Sequence, residues 1–291
     1  MTKLANSADY SRRRIIAYWV ATVIIAAEFA VGGVMDILRL PPFFAILKHL
    51  GYPGYFSVIL GVWKVLGAVA VLAPRFPRLK EWAYAGMFFN MTGAVASHLA
   101  VGDPAVTMVA PIIFTGLVTA SWALRPLARR DDLAGSAASS RSRTIAYWVT
   151  TGLLALECVV GGVMGALRLP PFSGIMEHLG YPAYFMTIIG VWYMLGGVAV
   201  LGPRFPRLKE WAYAGLFFVY TGAAASHFAA GDRAVTLVVP VIFLGLVSAS
   251  WVLRPPARSV LHRDGNEVSR RANQQCGFRY THILEKLRHN K

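Results

Sequence analysis

The sequence predicts an all-α, polytopic membrane protein with eight transmembrane helices arranged as two parallel four-helix units. Three observations carry that prediction. The chain is 56% hydrophobic and 15% charged, where soluble domains carry about 25% charged residues. Its apolar residues gather in runs of about 20, the length a helix needs to cross the hydrocarbon core of a bilayer. Residues 15 to 128 recur as 144 to 257 at a constant offset of 129 and without a gap, about two-thirds of the paired positions being identical. The chain is therefore one unit written twice.

Residues 1 to 14 form a polar N-terminal segment ending in Arg12-Arg13-Arg14. The apolar run behind it is longer than a signal-peptide core and has no clear cleavage site, so it reads as a retained first helix. The first unit, 15 to 128, is expected to hold helices at 15–38, 54–73, 80–100 and 105–124. The second unit, 144 to 257, repeats them 129 residues later. The runs are continuously apolar and lack the polar alternation of a lumen-facing strand, which favours helices over a barrel. Between the first two helices, Pro41-Pro42-Phe43-Phe44 and Gly51-Tyr52-Pro53 make a loop too apolar for water. This loop and its copy, from Pro170 to Pro182, are expected to lie in the outer interface as short lids. The linker, 129 to 143, and the basic tail, 258 to 291, read as solvent-exposed, with a brief helix over Tyr280 to Leu287.

The net charge of +15 would suggest nucleic acid in a soluble chain. Here it has a topological explanation, because short loops rich in Lys and Arg stay cytoplasmic. Lys3 and Arg12 to Arg14, then Arg75, Arg78 and Lys80, then Arg125 to Arg143, all fall on one side. Arg204, Arg207, Lys209 and the tail repeat the pattern, whereas the other side carries only Arg39, Lys48, Arg168 and Arg233. Both termini are therefore expected to be cytoplasmic, with membrane lipid as the surrounding partner and no nucleic acid. An even helix count makes the two units parallel. Cys158 and Cys276 share no local motif, which leaves no disulfide framework and no zinc spacing to infer.

Several short motifs occur in order, and twice. They are a Glu and Gly-Gly in helix one, His-Leu-Gly-Tyr-Pro-x-Tyr-Phe after it, Pro-Arg-x-Pro-Arg-Leu-Lys-Glu-Trp-Ala-Tyr-Ala-Gly, Ser-His, and Ser-Trp-x-Leu-Arg-Pro. In these the chain resembles the DoxX-like family, from about Ile15 to Pro126 and again from Thr144 to Pro255. Members are typically single four-helix units, so the tandem form is a departure. The resemblance implies a bacterial inner membrane protein and a link to quinone or to membrane redox complexes. It transfers no catalytic residue.

Polar groups inside the apolar runs are the candidate site. Glu28 and its copy Glu157 fall halfway along helix one, where a lipid-exposed charge costs at least about 2.5 kcal/mol, so each should face protein or water. Each is either a proton-exchanging or substrate-contacting carboxyl or a neutral hydrogen-bonded clamp between helices. Gly32 and Gly161 lie one turn further on the same face and would let another helix approach. Lys64, in mid-helix two, is replaced by Tyr193 in the second unit. Helix rise places Glu28 and Lys64 roughly one turn apart in depth. The expectation is a Glu28 to Lys64 ion pair and a Glu157 to Tyr193 hydrogen bond, with Glu157 the carboxyl freer to titrate.

His49, His98, His178 and His227 are expected on the outer face. They are candidates for a quinone headgroup or metal site, set against ordinary interfacial hydrogen bonding. No metal motif accompanies them, and Asp103 and Asp232 read as solvated caps in Gly-Asp turns. Glu81 and Glu210 open helix three, where the helix dipole and the neighbouring Lys80 or Lys209 would steady a carboxylate. Trp82, Tyr84, Trp122 and Arg125, with their copies Trp211, Tyr213, Trp251 and Arg254, read as an interfacial belt.

No haem, flavin or nucleotide motif is present, so autonomous catalysis is not expected and no cofactor is identified beyond a possible quinone. Three readings remain. One is a quinone-binding or redox-complex accessory subunit with a soluble or membrane redox partner. The others are a small-solute or proton-coupled transporter and a structural membrane scaffold.

Overall fold

The computed structural model describes residues 2–126, 140–202 and 205–255, with residues 2–11 by backbone alone. The linker over 129–139, Arg204, Cys276 and the whole tail, including the expected Tyr280 to Leu287 helix, lie outside the described residues. All regular structure in the described residues is helical. In the first repeat α1 spans Thr2–Ile37, α2 Phe43–His49, α3 Gly54–Leu72, α4 Pro77–Val101 and α5 Val106–Leu124. The second repeat follows with α6 Arg141–Ala166, α7 Phe172–His178, α8 Ala183–Leu201, α9 Pro206–Ala229 and α10 Val238–Leu253, the last entered through a 3-10 turn at Ala234–Leu237.

The boundaries follow local chemistry. Helix α1 begins at Thr2 rather than at residue 15, because neither proline nor glycine occurs before Gly32 to stop a helix extending backwards. Ser140 caps α6, its Oγ accepting from the Arg143 backbone N–H at 3.3 Å. Pro77 and Pro206 open α4 and α9, where a missing N–H costs nothing. At the far end of α4, Gly102 takes the left-handed conformation, φ 77°, and turns the chain out of the helix. The apolar loops expected as lids each fold one short helix, α2 and α7.

Six helices are long and apolar enough to cross a membrane: α1 from Arg12, α3, α5, α6, α8, and α10 with its entry turn. Large apolar side chains such as Val69, Ile112 and Val198 face outward on them. This is a multi-pass membrane protein. The remaining two long helices, α4 and α9, have 25 and 24 residues but are less apolar than the six, whereas the sequence suggested eight spans of one kind. The physical reason is their position. They pack on each other across the repeat boundary as well as on helices of their own repeat. They bury Glu81, Ser97 and His98 in one, and Lys209, Glu210 and Ser226 in the other. A helix facing protein on most sides tolerates polar residues that lipid would reject.

Within each repeat the first two long helices cross at glycine. A Cβ on Gly61 would lie 2.5 Å from the Gly33 carbonyl oxygen, so the two backbones touch there. Gly162 and Gly190 make the equivalent crossing of α6 and α8. Gly32 and Gly161, expected to admit a helix, instead leave room for the carboxyl of Glu28 or Glu157 and for a ring, Phe43 or Phe172.

Contacts between the repeats are reciprocal, as a twofold relation between copies makes them. Phe218 lies against Gly86 and Phe89 against Gly215. The Tyr55 hydroxyl donates to the Leu179 carbonyl at 2.5 Å, and that of Tyr184 to the Leu50 carbonyl at 2.6 Å.

Candidate functional site

A cavity of about 1630 Å³ runs from the interior of the first repeat, across the repeat boundary, into the second. That is larger than the roughly 300–1,000 Å³ of most small-molecule pockets. Its wall is mainly aliphatic and aromatic, and the few polar groups on it include Glu28, Asp36 and Lys64 from the first repeat and Glu157, Tyr193 and Tyr220 from the second. The sequence candidates in the membrane thus all border one space. Their pairing differs from expectation.

Lys64 does not pair with Glu28. Its Nζ donates to Asp36 Oδ2 at 2.8 Å, with the two side chains 7% and 1% exposed, and it sits 4.9 Å from the centre of the Phe43 ring. Side chains lean toward the N-terminus of their own helix. For Lys64 on the antiparallel α3, that direction leads to the Asp36 end of α1 and away from Glu28. Ser57 completes the arrangement by donating to the Asp36 carbonyl at 2.7 Å. Asp36 was not anticipated from the sequence. A signal was nevertheless present, since Asp36 and Lys64 are replaced together, by Gly165 and Tyr193, in the second repeat.

Glu157 does not take its hydrogen bond from Tyr193. The donor is the Tyr220 hydroxyl on α9. Tyr193 packs edge-on against the Tyr220 ring, with centroids 5.9 Å apart, and Phe243 stacks on the Tyr220 ring at 5.4 Å. The position equivalent to Tyr220 in the first repeat is Met91, so Glu28 has no such donor. Its Oε2 is buried and has no hydrogen-bond partner among the described residues. Glu28, not Glu157, is the less satisfied.

At the end of the bundle where α4 and α9 begin, Glu81 accepts from Trp122 Nε1 at 2.8 Å, from Trp211 Nε1 of the other repeat at 3.1 Å, and from Arg125. Glu210 mirrors this with Trp251 at 2.9 Å, Trp82 at 3.1 Å, and Arg254. The expected lysine neighbours are not the partners: Lys209 instead donates to the Tyr147 hydroxyl at 3.1 Å. The tryptophans read as an interfacial belt thus include two cross-repeat donors. Each carboxylate is held by charge-assisted bonds, the strong kind.

At the opposite end the four histidines divide into two pairs. His49 Nε2 lies 2.9 Å from Asp103 Oδ1 and His98 Nδ1 lies 2.6 Å from Asp103 Oδ2. His178 and His227 meet Asp232 in the same way, each at 2.7 Å. Asp103 is more than a solvated cap. With Gly102 left-handed, the Asp103 backbone N–H donates to the His98 carbonyl at 3.0 Å, which returns the carboxylate to the helix it follows. Hydrogen bonds from His98 and then His49 hold the Asp103 carboxyl below the ordinary carboxylate range, and His227 and His178 do the same to Asp232. His49 ends α2 and Asp103 follows α4, so the bridge ties the short helix to the bundle. Among the described residues no three His, Cys, Asp or Glu side chains are arranged to hold a metal ion.

The fold and cavity define a polytopic helical membrane protein built of two copies of one unit around a shared apolar space. The chain belongs to the DoxX-like family, which matches it twice in tandem, over residues 20–121 and 149–250. No curated protein and no solved structure matches it.

Proposed function

We propose that the protein crosses a bacterial inner membrane eight times, with both termini cytoplasmic and the two repeats parallel, and binds a quinone-type lipid in the cavity as an accessory subunit of a redox complex. The observation that carries the ligand is the buried, unpartnered Glu28 Oε2 on the wall of a large apolar cavity. Buried polar groups in native proteins find partners, and an apolar wall with a few placed polar atoms suits a greasy molecule with a polar head. Among the residues present, Glu28 would meet the headgroup and rings such as Phe43, Trp63 and Phe114 would flank it. A bound quinone would supply electron and proton exchange that no side chain here provides.

Eight spans follow if α4 and α9, screened from lipid by the other helices, cross along with the six more apolar ones. Basic residues at the α4 and α9 starts, Arg78, Lys80, Arg207 and Lys209, support a cytoplasmic location for that end. Extraction and mass spectrometry of protein purified in mild detergent tests the ligand. Quinone near one molecule per chain is expected. Its absence from protein purified with its lipids retained would overturn the proposal and turn attention to flux measurements in liposomes.

A further inference from the structure

The two repeats are an internal comparison at matched positions, and they differ at the carboxyl. In the second repeat Glu157 accepts from the Tyr220 phenol, and the Tyr220 ring lies nearly parallel to Phe243, at 14°. In the first repeat Glu28 and Phe114 are retained at the matching positions, but Tyr220 is replaced by Met91. All three of Glu28, Met91 and Phe114 border the cavity. Glu28 Oε2 is the buried oxygen with no partner among the described residues, while Oε1 folds back over Gly32. The neighbouring cation is engaged elsewhere, Lys64 on Asp36.

Resting on the quinone-type reading above, we infer that the ligand site lies in the first repeat alone, and that it takes an aromatic hydroxyl in place of the Tyr220 phenol: the reduced quinol rather than the oxidised quinone. In the second repeat the carboxyl accepts from a phenol, so the matching partner for Glu28 is a donor of the same kind, whereas the carbonyls of a quinone only accept. A quinol hydroxyl donates, as the Tyr220 hydroxyl does. Met91 is flexible and polarizable and can yield to a ring where tyrosine could not. In the second repeat the tyrosine already occupies the equivalent place, so Tyr220 is a built-in copy of the ligand's head. The Asp36 to Lys64 pair belongs to the first repeat only, and Tyr193 with Gly165 to the second.

The test is a binding titration of the full chain in detergent with a short-chain benzoquinol kept reduced, and with the matching quinone. Wild type is expected to bind one quinol per chain and to prefer it about tenfold over the quinone, the order of one hydrogen bond. Met91→Tyr should abolish binding and Met91→Leu retain it. Tyr220→Met should raise the stoichiometry to two, and Glu28→Gln should remove the preference for quinol. If Met91→Tyr binds as wild type does, the site assignment falls although a cavity ligand stands. If neither probe binds any variant, the quinone reading itself falls. Should Tyr220→Met fail to fold, the contrast between Met91→Tyr and Met91→Leu decides the question alone.

Discussion

Asp36 and Lys64 form an ion pair almost without solvent, and the energetics of such pairs are asymmetric. Removing one partner leaves an uncompensated buried charge and costs about 3–5 kcal/mol, whereas replacing both with residues that pack can be neutral. The second repeat supplies a natural double replacement. We expect Asp36→Asn to lower the melting temperature in detergent markedly, and Asp36→Gly combined with Lys64→Tyr to recover most of the loss. Equal damage from the single and double variants would show that the pair is not the unit of stability. The same comparison shows what the sequence could yield at this scale. Glu28, Glu157 and Lys64 were legible as costly intramembrane groups. Their partners were not, because depth arithmetic places Cα atoms and ignores where a side chain leans. The unread signals were the joint replacement of Asp36 and Lys64 between the repeats and the exchange of Met91 for Tyr220.

The short helices α2 and α7 carry Phe43 and Phe172, which lie beside the carboxyls over Gly32 and Gly161, and each is tied down at its histidine end by Asp103 or Asp232. The sign of the pH dependence follows from the lowered carboxyl values. A folded-state value below the unfolded one gives stability that is complete above the ordinary carboxylate range and is lost as pH falls through the lowered value. Melting temperature followed from neutral to acid pH should therefore fall on the acid side in wild type. Asp103→Asn with Asp232→Asn should start lower and vary less. Parallel curves would contradict a role for the bridges. The long helices were readable from apolar runs. The short ones were not, because seven residues carry too little periodicity, and the early start of α1 was hidden by its polar composition.

The two repeats are fastened at both ends, by tyrosines donating to Leu50 and Leu179 carbonyls and by Trp82 and Trp211 donating to Glu210 and Glu81. Hydrogen bonds to charged groups contribute about 1.5–3 kcal/mol each. With a protease site placed in the linker and cut, the two repeats should remain together in mild detergent. Trp82→Phe with Trp211→Phe should then let them separate at a lower denaturant concentration, and unchanged separation would remove the tryptophans from the interface account. Duplication, helical class and family were legible from the sequence, since a constant offset needs no structure. That the cavity spans both copies was not, because each unit read alone ends at its own surface.

Density in an experimental map of the protein in lipid nanodiscs is the most direct measurement. We expect a flat feature beside Glu28 and Phe114 in the first repeat, with Tyr220 in the matching place in the second. Acyl chains alone in the cavity, or a headgroup on Glu157, would contradict a ligand site built on the unpaired Glu28 carboxyl.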